Sequence, residues 1–183
     1  MRYSFRVTAT LLLLGWLAQY PARAGNDLTR VPVGAVVPDF SIKDQYGNTF
    51  QLSSKRENVI ALVCGDRTGN QFMSAWFTAV KTRFPSPQDR PELVSVAILN
   101  GVPGFLRSWV RGKFLPSNAS EKKGPVLLDW DGTVPRLLGF AADVTNVYLI
   151  DRGGLLKYRT AGKGTPPEAS GLLEAIDLAM QGR

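Results

Sequence analysis

The sequence predicts a single α/β domain: a three-layer sandwich with a mixed central sheet flanked by helices and an N-terminal β-hairpin extension. Three observations predict it. Short apolar runs alternate with amphipathic stretches through the middle of the chain, as in strand–helix–strand units of a parallel sheet. Two later runs, 144–150 and 155–158, are joined by Asp151-Arg152-Gly153-Gly154, a hairpin that adds an antiparallel edge. The chain has 183 residues, 44% apolar and 20% charged, which suits one globular core.

The elements follow in order. Residues 25–38 form a leader containing Pro32, Gly34 and Pro38, and the domain proper spans 39–183. Residues 40–43 and 49–52 alternate apolar and polar around Gly47-Asn48, a hairpin signal. Residues 59–64 are continuously apolar, as in a strand covered on both faces. Thr68 is placed to cap the next helix, in which Phe72, Trp76 and Val80 share a face widened by Met73, Phe77 and Phe84. Pro85 and Pro87 stop it. Residues 93–99 read as a second buried strand. Residues 105–114 read as a helix with Phe105, Leu106, Trp109 and Val110 on one side. A short strand at 125–128 and one helical turn at 134–138 precede the closing hairpin. Thr165-Pro166-Pro167-Glu168 is a capping box that opens a last helix striped by Leu172, Ile176 and Met180.

The N-terminus carries a targeting signal. Arg2 and Arg6 precede the apolar run ATLLLLGWLA, and Ala22-Arg23-Ala24 forms a cleavage site. Residues 1–24 therefore read as a cleaved secretory signal peptide, with periplasmic or secreted localisation and no membrane insertion after cleavage. The net charge of +7 includes three arginines of that segment. The remaining charges are scattered, which reads as a solvated surface rather than a nucleic-acid stripe.

Two absences narrow the chemistry. The chain has no histidine, which excludes Ser-His-Asp and Cys-His catalysis and removes the commonest metal ligand. It has one cysteine, Cys64, so no intramolecular disulfide forms despite an oxidising destination. No cofactor and no metal site is expected.

One motif offers an alternative. Residues 126–134, VLLDWDGTV, resemble the first motif of haloacid dehalogenase-like phosphatases, in which Asp129 would be the nucleophile and Asp131 the general acid. In that family the motif opens the domain, whereas here it lies late in the chain with no acidic pair after it. The competing reading is a strand-end turn.

The element order and several signatures together resemble the thioredoxin-like redoxins, a superfamily that includes peroxiredoxins and thiol-disulfide oxidoreductases. VPVGAVVPDFSIKDQYGNTFQL (31–52) is similar to their opening segment. VLLDWDGTVPRLLGF (126–140) is similar to their Asp-x-Asp-Gly turn, and VTNVYLIDRGGLLKYRTAG (144–162) to their edge hairpin. Within that group the YtfJ family of secreted proteins is resembled most, through Gly65 and Arg67, Lys81-Thr82-Arg83-Phe84-Pro85 and Asn100. The Gly-Arg match is off by one residue, because Asp66 intervenes.

The resemblance places a Cys-x-x-Cys pair near Gly69 and Phe72, and a peroxidatic cysteine near Phe72; neither position holds cysteine. The proline that usually faces these thiols aligns with Thr145. Cys64 sits earlier, on the strand. It reads as a small buried apolar residue, or else as a thiol reaching the turn beside Arg67, where it would serve a single-cysteine oxidoreductase or peroxidase. Around the turn stand Asp66, Arg67, Thr68, Asn70 and Gln71, expected to face Thr145 and Asn146. Such a cluster at a helix N-terminus suits a protein or peptide group or a small anion; helix capping plus a solvated surface is the alternative. The function expected is a non-redox binding or accessory protein of YtfJ type.

Overall fold

The computed structural model describes residues 30–117 and 124–182. The signal peptide expected at 1–24 and the start of the leader lie outside the described residues.

Five strands form the central sheet: β3 (Ile60–Gly65), β4 (Glu92–Ile98), β5 (Val126–Asp129), β6 (Thr145–Ile150) and β7 (Leu156–Gly162). A separate two-stranded sheet is formed by β1 (Ser41–Lys43) and β2 (Thr49–Gln51), which is the expected N-terminal hairpin. The central order is β5-β4-β3-β6-β7. Strands β3, β4 and β5 run parallel, while β6 and β7 pair antiparallel. Every residue of β3 is buried, and so is every residue of β6. These two strands are central because their sequences leave no side for water.

Side-chain alternation along β3 divides the core in two. Ala61 and Val63 face α1 (Met73–Arg83) and α4 (Pro166–Gln181), packing with Met73, Trp76, Val80, Leu172 and Ile176. Ile60, Leu62 and Cys64 face the opposite layer, built from the leader, the hairpin and the short helix α3 (Thr133–Leu138). Trp76 anchors the first layer. It is fully buried, and its indole N–H donates to the Gly162 carbonyl at 3.3 Å. The capping box of α4 is formed as expected, with Thr165 and Glu168 satisfying each other's backbone N–H groups.

Three expectations are corrected. A tight 3-10 turn, Gly69–Phe72, precedes α1, and Thr68 makes no side-chain cap because its own backbone is already helical. The helix expected at 105–114 starts two residues later, as α2 (Arg107–Phe114), and contains no buried residue. A tight turn, Gly104–Leu106, leads into it, and Phe105 is 84% exposed. Finally, the edge strand β7 is longer than expected and partly covered. The leader bonds to its start through Gly34 N–H to the Leu156 carbonyl and Leu156 N–H to the Ala35 carbonyl.

Candidate functional site

In this topology the turn between β3 and α1 meets the start of β6. The sequence brings its polar residues there, and the structure shows how each is used. Asp66 takes the capping role expected of Thr68. Its Oδ1 accepts the Gly69 N–H at 2.6 Å, and its Oδ2 accepts the Asp143 N–H at 2.9 Å. One carboxylate thus ties the turn to the loop before β6. Asp143 adopts a left-handed conformation (φ 63°), which presents its N–H to Asp66.

Thr145 and Asn146 complete the lock. The Thr145 hydroxyl is buried and donates to the Gly69 carbonyl at 2.7 Å. The Asn146 side chain accepts from the Ala141 N–H and donates to the Ala141 and Val144 carbonyls, at 2.8, 2.8 and 3.1 Å. Asp66, Thr145 and Asn146 are therefore brought together, and all three bond to backbone. Arg67, Thr68, Asn70 and Gln71 are exposed. Gln71 donates to the Thr68 carbonyl at 2.9 Å, a bond within the turn.

Two glycines make this closeness possible. A Cβ on Gly69 would collide with the Val144 carbonyl oxygen and stand 2.7 Å from its carbon. A Cβ on Gly65 would stand 2.7 Å from the Asn70 nitrogen. Gly69 is the position that the redoxin resemblance assigns to the first cysteine of a dithiol. It lacks a thiol, and the backbone of residue 144 occupies the space that the thiol's Cβ would need. No residue type signals this approach, because Val144 contributes only its carbonyl.

Cys64 lies elsewhere. It is 0% exposed, in the core layer opposite α1, and pairs in register with Val96 and Asn146. Burial pushes its thiol well above the usual range, and the nearby Asp129 carboxylate pushes the same way. Tyr148, in the same layer, is likewise shifted upward by burial, and its hydroxyl donates to the Gly139 carbonyl. Thiolate character at Cys64 is thus opposed by every neighbour that influences it.

The motif at 126–134 forms the second strand-to-helix turn. Asp129 is 2% exposed, and its two oxygens accept the Thr133 and Val134 N–H groups, each at 2.8 Å. The carboxylate caps α3, with Gly132 in the left-handed conformation (φ 65°) between them. Asp131 is exposed, 3.9 Å from the Arg107 guanidinium. Both aspartates border a cavity of about 370 Å³ with Lys43, Asp44 and Arg111. Asp44 is committed too, accepting the Tyr46 and Asn48 N–H groups. Among the described residues no group of three metal-ligating side chains occurs, and no helix is long and apolar enough to cross a membrane.

No family model matches the chain, and no curated protein matches it. Solved structures do. A protein of Chlorobium tepidum assigned as the thiol:disulfide interchange protein DsbE superposes with a TM-score of 0.61 at 24% identity, covering 82% of this chain and 99% of that one. A protein of Bacteroides thetaiotaomicron assigned as a disulfide isomerase gives 0.57 at 20% identity, over 82% and 91%. The exposed lipoprotein thioredoxin Etrx1 of Streptococcus pneumoniae gives 0.55 at 17%, over 75% and 98%. These similarities carry the fold and not the narrower YtfJ assignment: a five-stranded mixed sheet between helical layers, in the thioredoxin-like arrangement, is the architecture of this chain.

Proposed function

We propose that this chain is an exported thioredoxin-fold protein without thiol-disulfide chemistry, acting as a binding or accessory protein of YtfJ type. The observation that carries the reading is the closed turn: the Val144 carbonyl packs on Gly69 where a redox cysteine would stand, while Cys64 is buried in the other layer. Reducing a disulfide takes two electrons and, in this fold, two thiols, one to attack and one to resolve the mixed disulfide. A single inaccessible thiol performs neither step. The N-terminal pattern ending in Ala22-Arg23-Ala24 supports export.

The surface left for a partner is the exposed part of the turn, Arg67, Thr68, Asn70 and Gln71. A forked guanidinium beside amide side chains suits a peptide carboxylate or another small anion. Two measurements test the reading. Insulin reduction driven by dithiothreitol should proceed at the uncatalysed rate with this protein present; catalysis abolished by Cys64→Ser would overturn it. Titration with acetate, followed by amide NMR shifts, should move Arg67 and Gln71 first; shifts absent from the turn would remove this surface as the binding site.

A further inference from the structure

The helix α2 stands apart from both core layers. None of its residues is buried. Phe105 is 84% exposed and Trp109 63% exposed, with Leu106 exposed beside them. Trp109 and Lys113 are four apart on α2 and share one row, and Phe105 stands in the turn that leads into it. The Lys113 ammonium lies 4.7 Å from the centre of the Trp109 ring. Large apolar side chains exposed together mark an interaction surface.

Charge selects the occupant. Residues 101–117 contain Arg107, Arg111 and Lys113 and no acidic residue. Arg107 is partly compensated by Asp131 at 3.9 Å and lies 5.5 Å from the Trp130 ring centre. Arg111 and Lys113 are exposed, and no ion pair involves either among the described residues. A second copy of the chain docking through this face would set cations against cations. A peptide helix needs a groove, yet neither Phe105 nor Trp109 lines the two neighbouring cavities, of about 370 and 600 Å³. The rings project instead. Projecting aromatic rings flanked by cations on a short helix match the requirements of a lipid headgroup interface.

We infer that α2 and the turn before it form a docking surface for an anionic phospholipid membrane, with Phe105 and Trp109 entering the interface and Arg111 and Lys113 meeting lipid phosphates. The protein would lie on the membrane without spanning it. This inference is independent of the thiol reading, since it uses no residue of the β3–α1 turn.

The test uses the purified full chain with sedimented vesicles, either phosphatidylcholine alone or an equal mixture of phosphatidylcholine and phosphatidylglycerol. Binding to the mixed vesicles should be about tenfold stronger or more, because each cation near such a surface strengthens binding several-fold. It should weaken on raising salt from 50 to 500 mM. Phe105→Ser/Trp109→Ser and Arg111→Glu/Lys113→Glu should each lose that preference, while thermal melts stay unchanged because these side chains are exposed. Any contribution from residues 1–24 is common to wild type and variants. Equal binding to both vesicles, or a preference that survives both double variants, would overturn the inference. So would absence of vesicle binding together with variant-sensitive self-association, or with variant-sensitive binding of polyglutamate.

Discussion

Two strand-to-helix turns in this chain look alike in sequence and behave differently in structure. Each places an aspartate, Asp66 or Asp129, just after an apolar strand and just before a helix. Asp129 turns both oxygens onto the N-terminus of its own helix and is buried there. Asp66 divides its oxygens between its own turn and the loop before β6, and is only partly buried. The first is a local cap. The second is a clasp between segments far apart in the chain. Both sites resemble active sites of known enzyme families, and in both the carboxylate is consumed by backbone N–H groups. A motif's residue types thus say little until the partners of each polar atom are known.

The comparison ranks the expected damage. Asp129→Ala strands two buried N–H groups and should cost about 3 kcal/mol in urea unfolding; a loss under 1 kcal/mol would show that water replaces the cap. Gly69→Cys pushes a side chain into the Val144 carbonyl and should cost about 2 kcal/mol by overpacking. A variant that folds at wild-type stability would mean the turn opens readily. Asp66→Ala should cost about 1–2 kcal/mol, since its partners are nearer to water, and should speed amide exchange at Asp143 as well as Gly69. Exchange changing at Gly69 alone would reduce the clasp to a local cap.

A third turn, from β7 into α4, supplies the smallest effect. Glu168 is half-buried there, and its carboxyl is held below its usual value mainly by the Thr165 backbone N–H. A depressed carboxyl stabilises the fold above its unfolded value near 4.5, and that stability is lost as pH falls through the lower folded value. Glu168→Gln should therefore lower stability slightly at neutral pH and converge with wild type at low pH, which flattens the profile below about pH 4.5. A profile that does not respond would remove Glu168 from the acid response.

Much of the fold was legible because its signals are local. The apolar run at 59–64, the hairpin residues Asp151–Gly154 and the capping box at Thr165 each carry their instruction within a few residues, and each formed. The burial of Cys64 followed from the same run. The failures are nonlocal. Thr68 and Asp66 are both competent caps, and the choice went to the residue that could also reach Asp143, which sequence spacing does not reveal. The 105–114 stripe has a core-like period, yet the sheet's two faces were already covered by α1, α4, α3 and the leader. The steric block at Gly69 comes from a carbonyl, and a carbonyl leaves no mark in a sequence.

The function proposed above rests on a thioredoxin-like turn that is kept but closed to thiol chemistry. Its most direct test is the rate at which Cys64 reacts with 5,5′-dithiobis(2-nitrobenzoate) in native protein at pH 7.5, against protein in 6 M guanidinium chloride. A buried Cys64 gives no native reaction beyond the slow rate set by unfolding, and one full equivalent after denaturation. Rapid stoichiometric labelling of the native protein would contradict it.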